Sequence, residues 1–121
     1  MKRLLIALIA LPLASVALGE ETPCARNAAG VFENINCAVH ARDKADRELN
    51  ATYQRLLAAL SQGEADKLRQ AQRAWLSFVE ADAQFIFERE GSGSSGRLVA
   101  VNAREQLTVQ RIEALKSWLP H

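Results

Sequence analysis

The stretch AVHARDKADRELNATYQRLLAAL, residues 38–60, carries a periodic pattern of apolar side chains. They recur three or four residues apart, at Ala38, Ala41, Ala45, Leu49, Tyr53, Leu56 and Leu60. This spacing places them on one face of an α-helix, whereas a half-buried strand would need alternation. The stretch therefore predicts a long first helix, which begins between Asn27 and Asn36 and ends near Leu60.

A second helix is predicted to begin directly after the first. Residues 61–64, Ser-Gln-Gly-Glu, match a capping box, in which the first side chain accepts from the fourth amide and the fourth side chain reaches back. One side of this helix carries Leu68, Ala71, Trp75, Phe78, Val79, Asp82 and Phe85 or Ile86. We expect the helix to stop at Gly91 and residues 91–96 to form a flexible loop that ends at Arg97, because this glycine- and serine-rich segment has low helix propensity.

A third helix is predicted from about Ala100 to Leu119, with Pro120 ending it. Its stripe consists of Ala103, Leu107, Arg111, Leu115 and Trp118. Short connections between successive helices favour antiparallel neighbours.

The amino-terminal residues have the pattern of a secretory signal peptide. Lys2 and Arg3 precede an uncharged run, Leu4–Leu18, and small residues stand at Ala17 and Gly19 before Glu20. A basic start, an apolar run and a small-x-small site are typical of a cleaved export signal. The alternative is an uncleaved membrane anchor, but 15 apolar residues are fewer than the roughly 20 that a spanning helix needs. We therefore predict a signal peptide at 1–19, a mature domain at 20–121, and a periplasmic or secreted location.

The charge balance excludes one large class of partner. Removing Lys2 and Arg3 from the 15 basic residues leaves 13 against 14 acidic ones, a net charge of −1. A nucleic-acid-binding domain would favour an excess of basic residues along one face. We expect a protein partner and no nucleic acid.

Cys24 and Cys37 are the only two cysteines. In an oxidising compartment an even number suggests a disulfide, and closing a loop of this length would stabilise the fold by about 3 kcal/mol. Their spacing is not that of a zinc site, and two ligands would leave it incomplete. The sequence therefore predicts an all-α fold, an antiparallel three-helix up-down bundle with an N-terminal segment tethered by this disulfide.

Motifs for catalysis or cofactor binding are weak. Residues 91–96 match G-x-G-x-x-G in letters, but a dinucleotide site needs a preceding strand, and a helical run precedes here. His40 and His121 are the only histidines, and no G-x-S-x-G elbow occurs. Glu80 and Asp82 project in different directions on a helix, so a paired-acid glycosidase is disfavoured. We predict no enzyme activity, no metal and no cofactor.

A polar set on the apolar faces stands out. Asp46, Asn50 and Tyr53 share one side of the first helix, Arg73 and Trp75 lie on the second, and Arg111 falls on the stripe of the third. A charge on a packed face must be paired or hydrogen-bonded. We therefore expect Asp46 to pair with Arg111 or Arg73, with Asn50 and Tyr53 adding hydrogen bonds. Such a network would fix the register of the bundle, or part of it would line a partner-binding surface.

The same residues carry a family resemblance. Residues 45–53, ADRELNATY, resemble the A-D-x-x-L-N-x-x-Y signature of the lysozyme-inhibitor LprI-like family. Residues 72–75, QRAW, are similar to its Q-R-x-W motif, and residues 107–115, LTVQRIEAL, to its closing L-T-x-x-R-x-x-x-L. The three motifs come in family order and span most of the mature chain.

The departures from the family pattern cluster around the second and third helices. Cys24 and Cys37 match the first two family cysteines, whereas Ala83 and Ala103 stand where the other two are expected. The resemblance thus implies that the missing cysteines bond each other in relatives and that Cys24 bonds Cys37 here. Val79-Glu80 replaces the usual Arg-Asp after the tryptophan motif.

The resemblance implies a periplasmic inhibitor of lysozyme that acts by binding, without chemistry. Arg97 is the residue that we expect at the contact, because a basic side chain at the end of a loop can pair with the acidic groups of a lysozyme cleft. A second hypothesis is a structural or adaptor protein of the cell envelope, with a partner that the sequence does not identify. A third, less favoured, is a small hydrolase of envelope material.

Overall fold

The computed structural model describes residues 30–121, which form three helices and, within that range, no strand. Helix α1 spans Val31–Ala59, α2 spans Gln62–Arg89 and α3 spans Ser94–Lys116. The predicted all-α class is thereby confirmed. None of these three helices combines the length and the apolar character needed to cross a membrane. Cys24 and the predicted signal peptide lie outside the described residues, so the disulfide tether and the cleavage site stay predictions.

The junction between α1 and α2 is built as the sequence predicts. Ser61 Oγ accepts a hydrogen bond from the Glu64 amide at 3.3 Å, and Glu64 Oε2 accepts one from the Ser61 amide at 2.9 Å. The Ser61 hydroxyl also donates to Glu64 Oε2. The bond from this hydroxyl, and to a lesser extent the bond from the Ser61 amide, lowers the pKa of Glu64. Only Leu60 and Ser61 separate the two helices, a short connection of the kind that reverses the direction of the chain.

Helix α3 packs against both other helices, most extensively against α1. Buried residues on α2 are seven apart, at Ala65, Gln72 and Val79. On α1 the buried positions 45, 49, 52 and 56 alternate in steps of four and three. This alternation is typical of nearly aligned helices packed along a heptad seam. The largest apolar cluster combines Leu49, Leu56, Ile112 and Leu115, with Tyr53, Leu60, Leu68, Trp75 and Leu119 packed against it.

The buried faces differ in part from the predicted stripes. On α2, Phe78 is 54% exposed and Phe85 is 63% exposed, although both were assigned to the packed side. On α3 the buried face is turned from the predicted one, and Trp118 is 75% exposed. Its buried residues are Gly96, Ala100, Val101, Thr108, Ile112 and Leu115. The apolar faces predicted from the sequence are wider than the surface that a neighbouring helix covers. Periodicity alone therefore does not show which residues at the edge of each face are buried.

The connection between α2 and α3 is shorter than the glycine-rich sequence suggests. The predicted start of α3 near Ala100 is wrong, because the helix begins at Ser94, inside the segment expected to be a flexible loop. The turn itself needs left-handed backbone, with φ of 96° at Gly91 and 51° at Ser92. Gly96 is buried in the first turn of α3, and a Cβ there would lie 2.8 Å from the Phe87 carbonyl oxygen. Its missing side chain therefore lets α3 approach the end of α2 closely.

We predict that Gly96→Ala destabilises the protein. The added methyl group would press against backbone rather than against a movable side chain. Overpacking of this kind costs about 1–3 kcal/mol, and better helix propensity returns at most about 1 kcal/mol. The free energy of unfolding, measured by urea denaturation, should therefore fall by roughly 1–2 kcal/mol.

Gly63→Ala is the matched control. Gly63 lies in the first turn of α2, exposed, and a Cβ there meets no atom within 4 Å. This variant should be neutral or more stable than the wild type. Equal stability losses in the two variants would show that the helix approach at Gly96 does not contribute to stability.

Candidate functional site

Three arginines follow one another at intervals of seven residues along α3, and we call them the arginine ladder: Arg97, Arg104 and Arg111. Seven residues are nearly two turns, so the Cα atoms are about 10 Å apart and share one side of the helix. Val101, Thr108 and Leu115, each four residues after an arginine, are buried. The ladder therefore lies on the side of α3 that faces the other helices.

Arg111, at the carboxyl-terminal end of the ladder, is hydrogen-bonded to a buried side chain of α2. Its Nε donates to Oε1 of Gln72 at 3.1 Å, and Gln72 is buried on α2. Burial lowers the pKa of Arg111, because removal from water disfavours the charged form. Arginine nevertheless stays protonated in proteins, so a cation is held against α2 by a neutral acceptor.

Arg104 is the middle of the ladder and bridges all three helices. Its Nη2 lies 3.7 Å from Oδ2 of Asp46 on α1, and its Nη1 lies 3.7 Å from Oε2 of Glu80 on α2. Both distances exceed those of hydrogen bonds, so they are ion pairs without direct bonding. The Nε of Arg104 is buried and has no hydrogen-bond partner among residues 30–121.

The predicted pairing of Asp46 with Arg111 or Arg73 is therefore wrong. Asp46 faces Arg104, which lies outside the predicted polar network. Periodicity shows which face of a helix a residue occupies, but not how far one helix is shifted along another. The seven-residue spacing from Arg97 to Arg111 was the signal that would have identified Arg104 as a third member.

The other members of the predicted polar network are not joined into one. Tyr53 and Trp75 are half-buried and pack against the apolar cluster. Asn50 and Arg73 are exposed, and neither side chain has a hydrogen bond or ion pair within the described part of the chain. The polar side-chain contacts that do link the helices are Arg111 with Gln72, Arg104 with Asp46 and Glu80, and Lys116 with Glu48.

A shallow cleft of about 160 Å³ lies at the end of the bundle near the α2–α3 turn. Its charged lining is Arg42 from α1, Glu80 from α2, and Arg97 and Arg104 from α3. The remaining lining is mostly small or apolar: Ala83, Gln84, Phe87, Ala100 and Val101. We call this the arginine cleft. Three cations against one carboxylate make this cleft locally positive, whereas the predicted mature domain has a net charge of −1.

The cations of the arginine cleft differ in how far they are already neutralised. Arg42 donates to Oδ1 of Asp43 through Nη2 at 2.6 Å and Nε at 3.0 Å, and this bonding lowers the pKa of Asp43. Arg104 is shared between two carboxylates. The exposed Arg97 guanidinium has no partner among the described residues. Arg97 is therefore the group most available to an incoming anion.

The position of Arg97 also differs from the expectation. It lies in the first turn of α3, and its amide donates to the Gly93 carbonyl at 2.9 Å. The side chain is thus carried by a regular helix rather than by a flexible loop. Its backbone is ordered before any partner arrives, which lowers the entropy cost of binding.

The arginine cleft is suited to binding an anion and not to catalysis. A guanidinium offers planar donors that match a carboxylate bidentately, but it does not exchange protons near neutral pH. The single carboxylate in the lining, Glu80, faces Arg104, and His40 is exposed on α1 outside the lining. Within residues 30–121, no three side chains of the metal-binding types come together to hold an ion.

A family model matches most of the chain. The family model described as lysozyme inhibitor LprI matches residues 24–115, which include all three helices up to the last turn of α3. The family resemblance of the sequence motifs is thereby confirmed. No curated protein and no solved structure matches the chain.

We predict that stability couples Asp46 to Arg104 and not to Arg111. In a double-mutant cycle, Asp46→Asn and Arg104→Gln should show a coupling free energy of about 0.2–1 kcal/mol, as partly exposed ion pairs do. The cycle of Asp46→Asn with Arg111→Gln is the control, and its two effects should add to within about 0.3–0.5 kcal/mol. Coupling confined to the Arg111 cycle would mean that the bundle has another register.

Proposed function

Since this chain belongs to the LprI family of lysozyme inhibitors, we propose that it inhibits a lysozyme in the periplasm or outside the cell. It would act by binding the enzyme and occluding its substrate cleft, without catalysing a reaction. The observation that carries the proposal at residue level is the arginine cleft, where an unpaired Arg97 stands at the end of the bundle. We further propose that Arg97 is the principal contact.

Lysozyme offers a complementary surface for such a contact. Glycosidases of this type carry a pair of carboxylic residues on either side of the scissile bond. A cation placed between them would pair with the ionised carboxylate and exclude the sugar. Because the mature chain would have a net charge of only −1, attraction would come from the local arrangement of Arg42, Arg97 and Arg104 rather than from long-range steering.

The energetics favour a contact at Arg97 over one at Arg104. A charge-assisted bidentate bond contributes about 1.5–3 kcal/mol, against about 0.5–1.5 kcal/mol for immobilising the side chain. Arg97 would gain this without losing an existing partner. Arg104 would have to leave or share its ion pairs with Asp46 and Glu80.

We predict that Arg97→Ala weakens inhibition by at least about tenfold, the equivalent of one charge-assisted hydrogen bond. The measurement is the clearing of a cell-wall suspension by lysozyme at increasing concentrations of the mature protein. Arg97→Lys should recover part of the effect, since it keeps the charge but loses the bidentate geometry. Circular dichroism should show that both variants keep the helical fold.

Arg55→Ala is the matched control. Arg55 is exposed near the end of α1, outside the arginine cleft, and has no partner among the described residues. This variant should inhibit like the wild type. If Arg97→Ala also inhibits like the wild type, the contact lies elsewhere on the surface. If the wild type does not slow lysozyme at all, the envelope-adaptor hypothesis replaces inhibition.

The export and disulfide proposals are tested together. Protein recovered from the periplasm or the medium should begin at Glu20 and should weigh two hydrogens less than the reduced chain. We expect this from the signal pattern at 1–19 and from the pairing of Cys24 with Cys37. Reduction should then lower the free energy of unfolding by about 3 kcal/mol. An intact amino terminus would contradict cleavage, and an alkylatable thiol in the oxidised protein would contradict the disulfide.

A further inference from the structure

Helix α2 carries a second apolar face that its own bundle leaves uncovered. It consists of Ala71, Ala74, Phe78, Ala81 and Phe85, every one of which is exposed. Phe78 and Phe85 are exposed by 54% and 63%. We call this set the alanine–phenylalanine face. The face runs over about four helical turns, and a continuous apolar surface of this extent is seldom left in water without a partner.

The spacing of this face is that of a helix-packing seam. Its residues follow one another at intervals of three, four, three and four, the alternation of a heptad repeat. The seam that packs inside the bundle, marked by Ala65, Gln72 and Val79, lies on another side of the same helix. Helix α2 therefore has two seams, one used within the chain and one free among the described residues.

We propose that the alanine–phenylalanine face binds a second copy of the same chain, with the two α2 helices antiparallel. An antiparallel two-fold arrangement can place Phe78 of one copy opposite Ala81 of the other, and Phe85 opposite Ala74. Each large side chain then meets a small one, and the same contacts recur on both sides of the axis. Such alternation of large and small residues is what lets two helices interdigitate closely.

The charges at the two ends of the face fit the same arrangement. Lys67 precedes the first alanine by one turn, and Glu88 follows the last phenylalanine by three residues, both on the same strip of α2. Antiparallel pairing brings Lys67 of one copy within about one turn of Glu88 of the other, inside the reach of a lysine side chain. Because the arrangement has two-fold symmetry, this Lys67–Glu88 ion pair forms twice. A parallel pair would instead place like charges together at each end.

Two further features favour a second copy over another occupant. The near-zero net charge after signal removal gives little repulsion between identical chains. Helix α2 lines the arginine cleft through Glu80, Ala83, Gln84 and Phe87, none of which belongs to the alanine–phenylalanine face. Dimerisation would therefore leave both copies of the arginine cleft open, and inhibition and self-association can be measured independently.

The first test is sedimentation velocity of the mature protein across a range of concentrations. The wild type should change from monomer to dimer as concentration rises, and the double variant Phe78→Glu/Phe85→Glu should stay monomeric with unchanged circular dichroism. Trp118→Glu is the control, because Trp118 is 75% exposed but lies beyond the end of α3. It should dimerise like the wild type.

The second test is charge exchange at the ends of the face. Lys67→Glu or Glu88→Lys alone places like charges opposite each other twice and should raise the dimer dissociation constant about tenfold. The combination of both changes restores opposite charges and should return the constant to near the wild-type value.

Three outcomes would overturn the proposal. One is a wild type that stays monomeric at every concentration, and another is a dimer that survives Phe78→Glu/Phe85→Glu. The third is a monomer that loses thermal stability on that double change, since another part of the same chain would then cover the face.

Discussion

The packing of α3 against both other helices, with arginines at positions that face them, is the constraint on which the rest depends. An arginine in such a place must find acceptors, because an unpaired cation removed from water costs several kcal/mol. Arg111 meets this need with the buried Gln72 amide, and Arg104 meets it in part with two carboxylates at 3.7 Å. Arg97 reaches solvent. Along one face of α3, the arginines therefore differ in role: Arg111 is held by a partner within the bundle, whereas Arg97 is free to bind an anion from solvent.

The two ends of the bundle differ in packing. Near the α1–α2 junction, the cluster of Leu49, Leu56, Ile112 and Leu115 supplies the apolar burial. Near the α2–α3 turn, Gly96 and Ala100 are small and allow α3 to lie close to α2. Small side chains there leave the arginine cleft unfilled. The arginine cleft therefore forms where the core is thin, and the apolar cluster at the opposite end of the bundle supplies most of the stability.

Much of the fold could be predicted because local signals agreed with it. The apolar period of residues 38–60 and the Ser61–Glu64 capping box fixed the first two helices and their junction. The start of α3 was missed, because the propensity of a glycine-rich segment suggests a loop. In the bundle, the close approach to Phe87 makes a glycine at position 96 the residue that fits, so tertiary packing overrides propensity.

The site was harder to predict, for a physical reason. Periodicity identified Arg111 as facing the bundle, and charge suggested Arg97, but the partner of Asp46 depends on the axial shift between α1 and α3. That shift is set by how side chains interlock over the whole interface, and no short motif encodes it. Likewise, the edge of a buried stripe depends on which neighbour covers it, and so the exposure of Phe78 and Phe85 was not foreseen.

The most direct measurement is an NMR titration of the isotope-labelled mature protein with lysozyme, following the Nε–Hε signals of the arginine side chains. If the arginine cleft is the binding surface, Arg97 and Arg104 should shift together on addition of the enzyme. Arg55, at the far end of α1, should stay unchanged. Shifts at Arg55 with Arg97 and Arg104 unmoved would place the contact at the opposite end of the bundle and contradict the assignment.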